Sequence, residues 1–180
     1  MLLMVEGVSE EVYFNRIARM TDRYSIHTKV SKDKGCADIV RNCAKEASRI
    51  GLEDDDIRVA VFDSDAPSKE DIEEAVRIAK EENVVIMTSN LSFEVWLLMH
   101  LEDVSHVYTQ EDYEDRLSQL LGRKYRKSQG LREMVSLDSI GSAVARDRRS
   151  LIDPSPIDCK SRLNTSTLWS LLADLLEIRS

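Results

Sequence analysis

The sequence predicts an α/β protein: a mainly parallel sheet of about four strands flanked by helices, with a C-terminal helical extension. Three observations predict it. Short apolar runs alternate with amphipathic patterns over residues 1–91. The run from Ile57 to Phe62 is almost unbroken in its hydrophobicity, as suits a parallel strand covered on both faces. Strand signals then fade from Ser92 onward.

Each element has a local cause. Leu2 to Val5 is a short apolar run, and Ser9 followed by Glu10 and Glu11 puts acids in the first turn of a helix, where the helix dipole favours them. Val12, Ile17 and Met20, with Phe14 nearby, form the apolar face of that helix. Ser25 to Val30 alternates and reads as a second strand. Between Gly35 and Gly51, apolar residues at Ile39, Val40, Cys43, Ala44 and Ala47 repeat at helical spacing. The central strand Ile57 to Phe62 stops at the turn-forming cluster Asp63 to Pro67. A charged helix over Ser68 to Glu82 and a fourth strand over Val84 to Met87 complete a β-α-β-α-β-α-β order. Beyond it, Phe93, Trp96, Leu97, His100 and Leu101 share one helical stripe. Glu111 to Leu121, Ile140 to Arg149 and Thr167 to Ile178 are further helices, and Asp153 to Asn164 is a loop. Residues 1–91 are thus expected to form the α/β core, with 92–180 packed on it as one compact unit.

Composition bounds the function. With 180 residues, 42% hydrophobic and 32% charged, the chain fits one soluble domain with a proper core. No stretch approaches the roughly 18 apolar residues of a membrane span, and no basic leader precedes the first apolar run, so the expected location is cytoplasmic. Cys36 and Cys43 lie on one helical face and read as reduced core thiols rather than a metal or redox pair; Cys159 is the third cysteine. Residues 1–122 carry 14 Lys and Arg against 26 Asp and Glu, whereas residues 123–149 carry 8 against 3. An acidic body beside a basic helical region is suited to holding a polyanion's phosphates near bound cations, although an ordinary solvated helix surface has the same charges.

The acidic body has a pattern. Glu6 and Glu10 follow one apolar run, and Asp63 and Asp65 follow another. Parallel strands of an open sheet deliver residues just past their carboxyl ends to one shared crevice, so these carboxylates are expected to pool. Oxygen donors without a histidine or cysteine cluster suit Mg2+ or Mn2+ better than zinc. Asp63 and Asp65 are also ordinary turn formers, and Glu10 alone is also an ordinary helix-dipole complement. Ser89 and Asn90 lie past the fourth strand at the same edge, as candidate substrate or outer-shell groups or as helix caps. Lys124 and Arg126, in the basic segment, are the candidate phosphate contacts. Trp96 and Leu97 are expected in the core, and His100 as a hydrogen-bonded structural residue.

Glu6, Gly7, Glu10, Tyr13 and Phe14 in EGVSEEVYF, with Asp63 and Asp65 in VAVFDSD, resemble the Toprim domain of topoisomerases, primases and OLD-type nucleases. The block from Ser89 to His100 is similar to the S-N-P-x-F-E-x-W-L-L-x-H signature of the RloB-like family, Toprim-related proteins of restriction and defence loci, with Leu91 in place of its proline. Tyr125-Arg126-Lys127 is similar to that family's Y-x-K, and Asn164 to Thr167 to its N-P-S-T, again without proline. The resemblance implies a Toprim-like Rossmannoid sheet, with Glu6, Glu10, Asp63, Asp65 and Glu94 as metal ligands and Lys127 as electrophile. Glu6 has general acid/base catalysis as its other implied role. The activity so implied is Mg2+- or Mn2+-dependent cleavage of RNA or DNA in prokaryotic defence, with nucleic acid, an ATPase subunit and a second copy of the chain as partners. A noncatalytic nucleic-acid-binding partner of an ATPase is the alternative, since the chain has no G-x-x-x-x-G-K-[ST] loop of its own. A D-x-D phosphatase is a further alternative, suggested by VFDSD.

Overall fold

The computed structural model of the chain describes residues 1–64, 68–104, 109–127, 129, 131–150, 156 and 165–178, the side chains of 132, 133 and 150 excepted. Its elements run β1 (Leu2–Val5), α1 (Val8–Ile17), β2 (His27–Val30), α2 (Cys36–Ile50), β3 (Arg58–Asp63), α3 (Lys69–Glu81), β4 (Val85–Asn90) and α4 (Phe93–Met99). There follow α5 (Gln110–Leu121), α6 (Leu131–Met134), α7 (Leu137–Ser150), β5 (Thr165–Ser166) and α8 (Leu168–Leu175). The sheet order is β2-β1-β3-β4-β5, with β1 to β4 parallel and β5 antiparallel to β4.

Alternation along the strands creates two cores. Leu3, Val5, Val59, Val61 and Met87 point to one face, where residues of α1, α4, α5, α7 and α8 cover them. Leu2, Met4, Ala60, Phe62 and Ile86 point to the other, against α2 and α3. Trp96 and Leu97 are fully buried in the first core, as the helical stripe predicts. Helix ends follow local chemistry. Gly51 closes α2 in the left-handed region at φ 75°, where a β-carbon is strained. Ser68 with Asp71 and Thr109 with Asp112 form reciprocal capping boxes on α3 and α5. Cys36 and Cys43 are buried free thiols on the inner face of α2.

The structure departs from the sequence reading mainly at β4 and near the C-terminus. β4 continues past Met87 through Thr88, Ser89 and Asn90, all buried. These polar residues remain in the sheet because Thr88 and Ser89 pair with β3 on one side and Ser89 and Asn90 with β5 on the other. A fifth strand was not expected. β5 is two residues long, and Thr165 lies in it opposite Asn90. Ser166 Oγ accepts from the Leu168 N–H at 3.1 Å, meeting one of the orphan donors of α8. The expected loop 153–164 lies outside the described residues except for Pro156.

Candidate active site at the carboxyl ends of the strands

The connection through α1 leads from β1 to β2 on one side, and the connection through α2 returns across β1 to β3. The strand order therefore reverses between β1 and β3, and the crevice past their carboxyl ends is where open α/β sheets bind ligands. Glu6 is the first residue beyond β1, and Asp63 is the last residue of β3. Glu6 Oε2 accepts from the Asp63 N–H at 3.1 Å, which pins the carboxylate across the switch point. On the β2 side, the Lys34 ammonium donates to the Glu6 carbonyl oxygen.

Glu10 enters from the first turn of α1 and is buried. A β-carbon on Gly7 would meet Glu10 Oε2 at 2.8 Å, so the carboxylate occupies space that only glycine leaves open. Burial pushes the Glu10 carboxyl up to about 7, its own backbone N–H opposes the shift, the negative charges of Glu6 and Glu94 add to it, and Lys127 reduces it. These influences bring four side chains from separate segments into one electrostatic neighbourhood.

Glu94, in the first turn of α4, is also buried. Its Oε2 accepts from Ser92 Oγ at 2.9 Å and Gln110 Nε2 at 3.0 Å, and its Oε1 from the Tyr125 hydroxyl at 3.3 Å. Lys127 Nζ stands 3.8 Å from Oε1 with its side chain mostly in solvent. Lys124, Arg126 and Lys127 are exposed around the buried ring of Tyr125, which anchors this basic segment beside the carboxylates. Tyr125 ionisation is pushed upward by burial first and then by the Glu94 charge, so its hydroxyl remains a donor.

The other candidates have different positions. Ser89 is buried and donates its hydroxyl to Ser166 Oγ at 3.1 Å, while its carbonyl accepts from Ser64 N at 2.9 Å and Ser64 Oγ at 3.1 Å. It belongs to the β4–β5 seam rather than to an open surface. Asn90 is buried beside it. Ser92 is the N-cap residue of α4, yet its hydroxyl points to Glu94 rather than to a backbone N–H. Asp65 and Asn164 lie outside the described residues.

His100 follows the structural reading. Its Nδ1 faces the Trp96 carbonyl at 2.9 Å, an acceptor only, so that nitrogen carries the proton. Nε2 then accepts from the Tyr13 hydroxyl at 3.2 Å. Burial lowers the imidazole to about 4, keeping it neutral.

Residues 1–175 match the RloB-like protein family. The chain belongs to that family. No curated protein and no solved structure matches it. Among the described residues of this RloB-like protein, no helix is long and apolar enough to cross a membrane. No three His, Cys, Asp or Glu side chains among them form a ready set of metal ligands either. Each carboxylate has a protein partner: Glu94 is held by Ser92, Gln110 and Tyr125, Glu6 accepts from the Asp63 N–H, and Glu10 bonds to its own backbone N–H. The donor set is nevertheless all oxygen and carries mutual repulsion that a hard divalent cation would relieve.

Gln110 and Tyr125 as holders of Glu94 were not found from sequence. Gln110 is the first residue of α5, just inside the Thr109–Asp112 cap. No periodicity signals that it faces α4.

Proposed function

We propose that this RloB-like protein is a divalent-metal-dependent nuclease with a Toprim-like catalytic sheet, hydrolysing phosphodiester bonds in RNA or DNA. Service in prokaryotic defence is part of the proposal and draws on the family resemblance. The observation that carries the activity is the convergence of Glu6, Glu10 and Glu94 from β1, α1 and α4, beside Asp63 at the switch point and Lys127 at the rim.

Glu6 and Asp63, with Glu10 and Glu94 behind them, are the groups that would hold Mg2+ or Mn2+; the bound cation would lower the pKa of a water and neutralise charge on the phosphoryl oxygens. The chain supplies the remainder. Lys127, in solvent yet within ion-pair distance of Glu94, can meet the negative charge that grows on the phosphoryl group. Glu10, near 7, can hold or release a proton at neutral pH. Lys124 and Arg126 offer exposed charges for flanking phosphates.

Glu6→Gln and Asp63→Asn, which preserve size, test the assignment. Divalent-dependent cleavage of RNA and DNA should fall by about 10²- to 10³-fold in either variant, the scale of removing a preorganised group that stabilises transition-state charge. Calorimetry should show weakened Mn2+ binding, with melting temperatures close to the parent. Full cleavage by the double variant would refute the assignment. A second reading, a noncatalytic nucleic-acid-binding subunit that regulates an ATPase, draws on the lack of a ready ligand trio among the described residues. Nucleic-acid binding by the parent chain without any divalent-cation binding would favour it.

A further inference from the structure

The first 122 residues are acidic on balance, yet residues 27–50 carry six Lys and Arg against three Asp and Glu. The structure gathers part of this excess around a cavity of about 280 Å³ between edge strand β2 and α2, lined by Lys29, Lys32, Asn42, Lys45, Glu46 and Arg49 among others. The only acid among those six is saturated. Glu46, buried at its carboxylate, takes Lys29 Nζ at 2.8 Å and Arg49 Nη2 at 2.6 Å. Asp33, next to Lys32, accepts from Asn42 Nδ2 at 2.9 Å, and the same amide nitrogen reaches Ser31 Oγ at 3.1 Å, which ties the loop after β2 to α2. Lys32 and Lys45 are exposed and have no ion pair among the described residues.

The position of the cavity gives these charges meaning. β2 and β1 are neighbouring parallel strands with Val5 opposite Val30, and Ser31 N donates to the Val5 carbonyl at 2.8 Å. Ser31, which lines the cavity, thus follows the strand next to the one that ends at Glu6, and neighbouring strands lie about 5 Å apart. Lys34 bridges the gap by donating to the Glu6 carbonyl. Basic groups stand on both flanks of the carboxylates: Lys124, Arg126 and Lys127 on one, and the β2–α2 cavity on the other.

We infer that the β2–α2 cavity is a second phosphate anchor, in which Lys32 and Lys45 grip the sugar-phosphate backbone of a nucleic-acid strand that continues across the Glu6–Asp63 crevice to Lys127. The ligand class rests on the nuclease reading above. Lys29 and Arg49 are already engaged by Glu46, and Lys32 and Lys45 are the groups free to pair with phosphate.

The test is fluorescence anisotropy of single-stranded RNA and DNA on the full chain carrying Lys32→Glu and Lys45→Glu together, over a salt series. The control carries Arg19→Glu and Lys80→Glu, the same charge change on exposed residues at the carboxyl ends of α1 and α3, the opposite edge of the sheet. The cavity variant should bind at least about tenfold more weakly, and its log affinity against log salt should flatten by about 1.4, the loss of two single-strand phosphate contacts. The control should stay within about twofold of the parent. If the cavity variant binds like the parent, or the control weakens equally, the anchor is wrong while cleavage by the parent leaves the nuclease reading intact. If the cavity variant alone is weakened but no divalent-dependent cleavage occurs, the anchor stands without the nuclease. A parent chain that binds no nucleic acid overturns both.

Discussion

Replacing Glu10 with glutamine should make the metal-free protein more stable at neutral pH, and the size of the gain follows from the site. The folded-state carboxyl titrates at about 7 against an ordinary 4.5, because it is buried and faces Glu6 and Glu94. Below pH 4.5 the group is protonated in both folded and unfolded chains and contributes no pH-dependent difference. As pH rises from 4.5 to 7 the unfolded chain releases the proton first, so folding stability falls, by about 3 kcal/mol once both states are ionised. Glu10→Gln removes that loss. For a chain of this size, about 2–4 °C of melting temperature per kcal/mol converts it to about 6–12 °C at pH 8. The assay is thermal and urea unfolding of both proteins in a chelator between pH 4 and pH 8. The gap should open across pH 4.5 to 7 and narrow again when Mn2+ is added to the parent, since a cation bound by the carboxylates stabilises the folded state. A gain equally large at pH 4, or no gain at pH 8, would refute the crowding on which the site rests.

Gly7→Ala should displace the Glu10 carboxylate with little effect on the fold. Its new β-carbon at 2.8 Å from Oε2 meets a movable side-chain end, and φ −136° suits alanine. Cleavage should drop about 10- to 100-fold, the cost of misplacing an active-site group by up to an ångström, with a melting temperature within about 4 °C of the parent. His100→Gln tests the buried neutral imidazole. With a folded value of about 4 against 6.5, His100 contributes stability that is present above pH 6.5 and lost as pH falls through 4. The destabilisation of the variant relative to the parent should therefore shrink by up to about 3 kcal/mol from pH 7 to pH 4, as urea unfolding at each pH will show. Trp96→Ala empties the centre of the larger core and should cost about 3–5 kcal/mol in denaturant unfolding.

The four parallel strands and the helices around them were legible because their faces are written into local periodicity. Ile39, Val40, Cys43 and Ala47 recur at helical spacing and are buried together, and the apolar run before Asp63 is the central strand. The location of Glu6 and Asp63 at one edge follows from that alternation, since parallel strands point their carboxyl ends the same way. Elements stabilised by distant partners were not legible. Thr88 to Asn90 and the two residues of β5 are polar and short, and they are strands because Thr88 and Ser89 pair with β3, Ser89 and Asn90 pair with β5, and the Ser166 N–H reaches the Asp147 carboxylate at 2.8 Å.

By itself the sequence determined which residues could form strands and helices, and that acidic groups follow two of the strands. Tertiary structure alone decided that Glu10 folds over Gly7 to face Glu6, that Gln110 and Tyr125 hold Glu94, and that lysines of β2 and α2 surround a cavity one strand away. Secondary structure arises from spacing along the chain, whereas the protonation and pairing of a carboxylate depend on burial and on charges brought near by packing, which no local spacing encodes.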